Sequence, residues 1–395
     1  MFSTKKAILA AAVLIGAIGL TIKLLMPTQS EGTKQAKTAT TKSSDSIKKT
    51  EEQAAPKSKE EQLDSLVSQM SLDEKVGQLF LARVPETNQL EDIKTYHLGG
   101  YLLFARDVEG ETSDTLKTKI DSFQQESDVP MLIASDEEGG TVTRISKNDK
   151  IVTEPFKSPQ DLYKAGGIEA VKKDIDYKSN VFKVLGIHTG LYPVADVSTD
   201  PESFIYDRTI GLNTAETSSY LEEVVTELKK NEIGSTLKHF PGMGDNLDSH
   251  SEIVTDNRSL DEIKTTSLPP FEAGIKAGAD SILVSHNIVK AIDPNVPASI
   301  SPKVNQLLRD ELKFNGVVMT DDMDMAGLAD FTTQETAALE ALKAGNDLIL
   351  SSSYDKQIPV IKSAVQSGEY SEEQLNQSVL RILKWKSDLG IITLD

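Results

Sequence analysis

Eight short apolar runs recur along the chain, and they constrain its fold more than any other feature. The runs begin at residues 78 (QLFLARV), 101 (YLLF), 131 (MLIAS), 189 (TGLYPVADV), 235 (STL), 281 (SILVS), 316 (GVVMT) and 347 (DLILS). None alternates apolar with polar residues, which is typical of parallel strands buried on both faces. Helix-like segments lie between them, at 114–126, 215–230, 270–277, 303–312 and 335–344. The pattern predicts an α/β fold, namely a single (β/α)8 TIM-like barrel, with a doubly wound open sheet as the alternative.

Polar residues follow the ends of six of these runs. They are Asp136, Asp196, Lys238 with His239, His286, Asp321 with Asp322, and Ser351 with Ser352. Any one of them could be an ordinary loop or helix-capping residue. In a barrel, however, the carboxyl ends of the strands meet on one rim, where active sites are assembled. Six such positions in register therefore predict a shared site.

The N-terminus carries a segment suited to a membrane. Lys5 and Lys6 precede residues 7–22, which contain no charge, and Lys23 and a Leu-Leu-Met sequence follow. A helix reaching residue 26 would extend for roughly 30 Å at about 1.5 Å per residue, enough to cross a bilayer. We expect residues 1–27 to be an export signal or a membrane anchor. Because no Ala-x-Ala motif follows the run, an uncleaved anchor is favoured over a cleaved signal peptide.

The remaining chain divides into a linker and a folded body. Residues 28–62 are rich in Ser, Thr, Lys, Gln and Glu, which predicts a disordered linker, and residues 63–395 form the predicted catalytic barrel. Within the barrel, Ser71 and Glu74 have the spacing of a helix capping box. The net charge is −19 for the chain and −25 for residues 60–395, so nucleic acid is not an expected partner. The absence of cysteine excludes disulfides, thiolate metal ligands and a cysteine nucleophile.

Several common chemistries lack their sequence signatures. None of the five histidines belongs to a His-x-His or His-Glu-x-x-His motif, and the loop DDMDMAG has Ala326 where a third calcium ligand would lie. GMGDNL lacks the third glycine of a dinucleotide loop, and neither a phosphate-binding P-loop nor Gly-x-Ser-x-Gly occurs. We therefore expect no metal and no cofactor.

Carboxylate and imidazole chemistry remains. The stretch STLKHFPGMGDNLDSH, residues 235–250, places Asp248 two positions before His250. An aspartate at this distance can orient an imidazole and support its protonated form. A second carboxylate acting as nucleophile would complete a glycosidase that retains anomeric configuration. Taken alone, Asp-Ser-His is a very weak signal that more often marks a solvated turn than a catalytic pair.

Longer motifs carry a resemblance to a known family. In order, they are SLDEKVGQLF, ASDEEGGTVTR, LYPVADVSTDP, KHFPGMGDNLDSHSE, PASISPKVNQLLRDELKFNGVVMTDDMDM and AGNDLIL. From Ser71 to the C-terminus the chain resembles glycoside hydrolase family 3, on its β-N-acetylglucosaminidase branch. The resemblance implies that Asp321 is the nucleophile, that His250 is the acid/base and that Asp248 is its partner. It also implies that the sugar is bound by Asp136, Arg144, Arg208, Lys238 and His239.

The implied activity is that of a retaining exo-β-N-acetylglucosaminidase. Such an enzyme would release terminal β-linked N-acetylglucosamine from peptidoglycan or related cell-wall glycans through a covalent glycosyl-aspartate intermediate. With the N-terminal segment, this implies an extracytoplasmic protein, either membrane-anchored or secreted, whose partner is a carbohydrate. Met243, Thr141 and the sequence YDRTIG depart from the family's common residues. They leave open a β-glucosidase, a phosphorolytic variant and a saccharide-binding barrel without catalysis.

Overall fold

Parallel strands arranged in a ring form the centre of the molecule in the computed structural model, which describes residues 57–244, 246, 254–325, 328 and 330–394. The ring strands are β1 (Phe80–Arg83), β2 (Gly100–Leu103), β3 (Leu132–Ser135), β4 (Thr236–Phe240), β6 (Ser281–Val284), β8 (Val317–Thr320) and β9 (Ile349–Ser351). Two short strands outside the ring, β5 (Thr255–Asp256) and β7 (Ile288–Val289), pair with each other in parallel.

The ring closes through irregular pairing at two places. One sheet has the order β3-β2-β1-β9, and a second has the order β4-β6-β8. Single bridges join residues 189–194 to β3 on one side and β4 on the other, and a further bridge joins β8 to the start of β9. The fourth apolar run thus takes the place of a strand between β3 and β4. The prediction of an α/β, TIM-like fold is confirmed, and the closed ring differs from the open sheet that was the alternative.

Burial on both faces explains why the apolar runs do not alternate. Every residue of β2, β3, β6 and β8 is buried, and Leu81, Tyr101, Ile133, Ile282 and Val318 have no exposed surface. One face of each strand packs inside the ring and the other packs under the surrounding helices. At about 25 cal/mol per Å² of buried apolar surface, this core is the main source of stability.

Helices surround the ring. Those of eight or more residues are α1 (Lys59–Gln69), α3 (Gln89–Tyr96), α5 (Ser113–Glu126), α6 (Pro159–Leu185), α7 (Thr214–Lys230), α9 (Leu268–Ala277), α11 (Ala337–Ala344), α12 (Tyr354–Ser367) and α13 (Glu372–Asp388). Shorter ones are α2 (Leu72–Gln78), α4 (Ala105–Val108), α8 (Leu260–Glu262) and α10 (Pro302–Gln306). The helical segment predicted at 303–312 divides into α10 and one π-helical turn, Leu307–Glu311.

The folded body begins earlier than the sequence indicated. Helix α1 starts at Lys59, inside the range 28–62 predicted as a linker. Ser58 and Glu61 form a capping box at its start, and Leu63 and Val67 are buried on the face that packs against α13. The first turn of α1 is as polar as the linker, so composition alone misplaced the boundary. The capping box predicted at Ser71 is present at the start of α2.

The N-terminal predictions concern residues that the structure does not describe. Residues 1–27 and most of the predicted linker precede residue 57. Among the described helices, none combines the length and apolar character needed to cross a bilayer. The membrane segment therefore stays a prediction.

Candidate active site

A cavity of about 180 Å³ lies at the carboxyl ends of the ring strands. Six of the eight predicted site residues line it, namely Asp136, Arg144, Arg208, Lys238, His239 and Asp321. Asp136 follows β3, Lys238 and His239 belong to β4, and Asp321 follows β8. Asp248 and His250 lie outside the described residues.

Glu138 is the centre of the ionic network at this cavity. Its carboxylate accepts hydrogen bonds from Nε and Nη2 of Arg208 at 2.9 and 2.7 Å. Nζ of Lys238 lies 2.5 Å from Oε1 of Glu138 and 2.7 Å from Oδ1 of Asp136. The Glu138 side chain is only 1% exposed, and that of Lys238 is 3% exposed. Both cations of this network are therefore held in place by buried or partly buried carboxylates.

The network fixes its own charges. Burial alone would raise the pKa of Glu138, but Lys238 and Arg208 outweigh it and hold that pKa well below its usual value. Burial would likewise lower the pKa of Lys238, yet Asp136 and Glu138 raise it. Both groups therefore stay ionised at neutral pH. Charges held in a fixed geometry need little rearrangement when a polar ligand binds.

His239 is oriented from behind by Asp196. Its Nδ1 lies 2.7 Å from Oδ2 of Asp196, and its Nε2 lies 3.0 Å from Nη2 of Arg208. A guanidinium can only donate, so Nε2 must accept and Nδ1 must carry the proton. These contacts therefore orient the imidazole of His239, with Nδ1 toward Asp196 and Nε2 toward Arg208. The register of β4 against β6 shifts between Lys238 and Phe240, a local irregularity that re-aims side chains.

Arg144 reaches the cavity from a loop organised by Glu137. The buried Glu137 carboxylate accepts the backbone N–H groups of Arg144 at 2.8 Å, Ile145 at 2.7 Å and Ser146 at 3.3 Å. The Ser146 hydroxyl donates to it as well, at 2.5 Å. Arg144 Nη2 then lies 3.3 Å from Oδ2 of Asp136. Glu137 thus shapes the turn that presents the arginine.

Asp321 and Asp322 end β8 but have different surroundings. Asp321 is half-buried and lines the cavity, and one of its carboxylate oxygens accepts the Asp322 N–H at 2.8 Å. Asp322 is buried and pairs with Arg83 of β1, whose Nε lies 2.5 Å from Oδ2. Burial raises the pKa of Asp322, and Arg83 opposes that rise. His286 Nε2 donates to the Asp322 carbonyl at 2.9 Å, so the residue after Asp321 is anchored on both sides.

The residues predicted at the strand ends have unequal roles in this geometry. Asp196 and His286 support cavity residues from behind, while Ser351 donates to Asp324 at 3.1 Å instead of lining the cavity. Glu138 and Arg83 were missed by the sequence reasoning. Glu138 stands two positions after Asp136 in ASDEEGG, so its place after a strand was a usable signal. Arg83 is the last residue of β1 and had no such signal.

The arrangement suits a small polyhydroxylated ligand. Donors on Lys238, Arg208 and Arg144 and the carboxylate acceptor of Asp136 converge on one cavity. Hydroxyl groups need such convergent, directional partners. Within the described ranges, no group of three or more His, Cys, Asp or Glu residues could hold a metal ion.

Comparison with known proteins identifies the family. Residues 71–385 match the family described as the glycosyl hydrolase family 3 N terminal domain. The chain belongs to glycoside hydrolase family 3. The resemblance to glycoside hydrolase family 3 that the sequence motifs indicated is thereby confirmed.

Two named relatives of this family 3 chain are β-hexosaminidases. It is 29% identical over 340 residues to β-hexosaminidase A of Pseudoalteromonas piscicida, and this alignment covers 77% of this chain and 55% of that protein. It is 32% identical over 291 residues to a β-hexosaminidase of Methylobacillus flagellatus, covering 70% of this chain and 80% of that protein. The family 3 chain thus spans just over half the length of the first of these relatives.

Solved structures of the same family share the fold. A family 3 β-N-acetylglucosaminidase from Paenibacillus sp. str. FPU-7 superposes with a TM-score of 0.76 at 30% identity, covering 82% of this chain and 65% of that one. The structure of M tuberculosis LpqI superposes on this chain with a TM-score of 0.75 at 25% identity, covering 82% of this chain and 96% of that one. The superposition therefore covers almost the whole of the LpqI structure.

Proposed function

We propose that the chain is a retaining exo-β-N-acetylglucosaminidase that releases terminal β-linked N-acetylglucosamine. One observation carries the proposal: the Asp321 carboxylate lies in the same cavity as the fixed polar groups of Asp136, Lys238 and Arg208. A sugar held by those groups would have its anomeric carbon within reach of a carboxylate. The relatives named β-hexosaminidase and the solved β-N-acetylglucosaminidase support this choice of sugar.

The proposed reaction has two displacements. In the first, an Asp321 oxygen attacks the anomeric carbon while the bond to the leaving-group oxygen breaks, and His250 gives that oxygen its proton. The product is a glycosyl ester of Asp321 and a neutral alcohol. In the second, His250 takes a proton from water, whose oxygen attacks the anomeric carbon and displaces the Asp321 carboxylate. Two inversions leave the released sugar with its original β configuration.

The Asp321 geometry fits a nucleophile more than a proton donor. The Asp322 N–H donates to one oxygen of the Asp321 carboxylate, which orients that carboxylate at the cavity. Asp322, by contrast, is buried and paired with Arg83, so its carboxylate is committed to that ion pair. We assign nucleophilic attack to Asp321 and give Asp322 the task of holding it.

The direct test is hydrolysis of aryl β-N-acetylglucosaminides. We expect wild-type turnover, release of the β anomer first as followed by NMR, and loss of turnover by at least about a thousandfold in Asp321→Asn. A 5-fluoro glycosyl fluoride should label one peptide, the one containing Asp321, by mass spectrometry. An inactive wild-type protein, or an Asp321→Asn variant as active as wild type, would refute the proposal.

Other substrates and reactions give distinct outcomes in the same assay. Faster cleavage of β-glucosides would indicate a β-glucosidase, and a rate that rises with added phosphate, with sugar phosphate as product, would indicate phosphorolysis. Binding of N-acetylglucosamine by calorimetry without cleavage of any glycoside would indicate a saccharide-binding barrel. Product analysis on purified peptidoglycan fragments tests the natural substrate class.

We also propose that the enzyme acts outside the cytoplasm and is attached to the membrane by an N-terminal anchor. The support is the charge-free run at residues 7–22 with lysines on both sides. Intact-mass measurement of the protein from membranes would give the full chain if the anchor is retained. A mass that lacks the first residues, together with a soluble protein, would show cleavage instead.

A further inference from the structure

A buried lysine of helix α6 lies behind the loop that carries Glu138. Nζ of Lys178 donates to the backbone carbonyl of Glu138 at 3.2 Å and lies 3.0 Å from Oδ2 of Asp174, one turn earlier on the same helix. The rings of Phe156 and Tyr192 each have their centroid 5.1 Å from the same nitrogen. The Lys178 side chain is only 4% exposed. We call these five residues the Lys178 cage.

The cage joins three stretches of chain that are separated in sequence. Glu138 and Phe156 belong to the region between β3 and α6. Tyr192 belongs to residues 189–194, which take the place of a strand between β3 and β4. Helix α6 supplies the cation and the Asp174 carboxylate. One ammonium group therefore contacts the loop, the strand-like segment and the helix behind them.

The backbone next to Glu138 is closely packed at this point. Gly139 has a φ of +102°, and a Cβ there would lie 2.2 Å from the Lys157 carbonyl oxygen and 3.4 Å from Nζ of Lys178. The Gly139 N–H donates to the Val142 carbonyl at 3.1 Å. The residue directly after Glu138 is thus packed against the lysine and hydrogen-bonded within its own turn.

Packing alone does not account for a cation at this position. A buried ammonium loses its hydration, and an apolar side chain of similar length would avoid that cost. What the ammonium adds is three donors on one compact group. Here it reaches a carboxylate, a main-chain carbonyl and two aromatic faces, and the attraction between a cation and a ring is strongest away from water. Lys178 is therefore held in place by its surroundings, and it holds the main chain of Glu138 in turn.

The carboxylate of Glu138 holds two cations of the candidate active site. It accepts hydrogen bonds from Arg208 at 2.9 and 2.7 Å and lies 2.5 Å from Nζ of Lys238. Arg208 and Lys238 line the cavity, whereas Lys178 is not among its lining residues in the described part of the chain. A shift of the Glu138 main chain would therefore move the counter-charge of both cavity cations, although Lys178 itself touches no ligand there.

We propose that Lys178 is a positioning residue for sugar binding, acting through the main chain of Glu138 on Arg208 and Lys238. This inference rests on the sugar binding of the proposed function. Without the ammonium, the Glu138 carboxylate loses its fixed place beneath the cavity, and the two cations lose the group that aims them. Loss of the cage should therefore weaken binding of the terminal sugar, by the same factor whatever leaving group follows it.

Affinity for the sugar provides a readout that a loss of stability alone would not change. Lys178→Met keeps the length of the side chain and removes its charge and its donors. We expect it to raise the dissociation constant for N-acetylglucosamine, measured by calorimetry on folded protein, by about tenfold, the effect of one hydrogen bond to a charged group. KM for aryl glycosides should rise in parallel while kcat changes less than about threefold. Phenyl and 2,4-dinitrophenyl glycosides should be affected equally, because their terminal sugar is the same.

Two further variants frame this effect. Asp174→Asn leaves the ammonium with a neutral partner and should raise the same dissociation constant by a smaller factor. Lys75→Met is the matched control, since Lys75 is also a buried lysine on a helix, with a side chain 8% exposed and 3.4 Å from the Glu372 carboxylate. It lies on α2, which precedes β1. Lys75→Met should lower the melting temperature as Lys178→Met does and leave the dissociation constant unchanged.

The outcomes separate this inference from the proposed function. If wild type binds the sugar and Lys178→Met binds it equally well, or Lys75→Met weakens binding by as much, the positioning role is wrong and any glycosidase activity stands. If wild type binds the sugar and cleaves no glycoside, the glycosidase is wrong and the same dissociation constants still test Lys178. If wild type neither binds nor cleaves, both are wrong. Should Lys178→Met not fold, the dissociation constant of Asp174→Asn decides.

Discussion

Arg208 and Glu138 form a bidentate ion pair beneath the candidate active-site cavity, with Nε and Nη2 of the arginine 2.9 and 2.7 Å from the two carboxylate oxygens. The pair is almost fully withdrawn from solvent, since the two side chains are 11% and 1% exposed. Lys238 shares the same carboxylate. One buried anion therefore balances two cations that we assign to sugar binding, and its removal should affect stability and binding together.

Glu138→Gln should lower the free energy of unfolding by about 3–5 kcal/mol at pH 7, because it leaves Arg208 and Lys238 short of a buried counter-charge. The pKa of Glu138 is held below its usual value, so its contribution is present above pH 4.5 and is lost as the pH falls further. Urea unfolding at pH 7 and at pH 4 measures this. Glu369→Gln, which removes an exposed pair with Lys343, should cost less than about 1 kcal/mol. Equal effects from the two variants would contradict the prediction.

Asp196→Asn should reduce kcat/KM by about ten- to a hundredfold, because a hydrogen bond to a charged group contributes about 1.5–3 kcal/mol and the His239 tautomer depends on this one. The comparison is Asp280→Asn, where a part-buried carboxylate accepts Ser235 N at 2.9 Å near the amino ends of β4 and β6. That variant should lose stability but keep wild-type kinetics per folded molecule. Unchanged kinetics in Asp196→Asn would show that the tautomer does not matter.

Glu137→Gln should raise KM with a smaller effect on kcat. The carboxylate accepts three backbone N–H groups, and an amide can replace only one oxygen, so the turn before Arg144 should lose its shape. Steady-state kinetics with an aryl glycoside and calorimetry with N-acetylglucosamine should show weaker binding in parallel. A fall in kcat at constant KM would assign Glu137 to the chemical step instead.

Lys386→Met should stabilise the protein near and below pH 7. Lys386 is fully buried against Gln78, 2.6 Å from its Oε1, and burial lowers its pKa from 10.5 to about 7. The unfolded chain therefore binds a proton between pH 10.5 and pH 7 that the folded chain does not. Stability should fall as the pH is lowered through this range and level off below it.

Melting temperatures at pH 6 and pH 9.5 test the Lys386 prediction. The difference between variant and wild type should be greater at pH 6, and part of the gain is offset because Gln78 loses its partner. Burial lowers the pKa of His188 to about 4, with a smaller contribution from Lys386, so pH dependence between pH 6.5 and pH 4 should remain in the variant. Lys362→Met, on the surface beside Asp73, should show no such pH dependence. A gain that is the same at both pH values would contradict the prediction.

The barrel was predictable because its signal is repeated, whereas parts of the site depend on single contacts. All eight apolar runs occupy the ring, since burial on both faces leaves the same mark on every strand. Asp136, Lys238 and His239 could be found because each directly follows a short apolar run of the sequence. Arg83 could not, because its role depends on a partner 239 residues away, Asp322. The start of α1 was missed because a capped first turn and a polar linker have similar compositions.

Strand β4 carries Lys238 and His239 and leads straight to Gly242, whose carbonyl accepts a hydrogen bond from Arg258 at 2.7 Å. Under the proposed mechanism, sugar recognition and proton delivery are thus encoded in one short stretch of chain. A change of backbone there would alter both properties at once. Efforts to retune the enzyme for another sugar therefore have a better starting point at Phe104, which lines the cavity directly after β2 and lies outside this stretch.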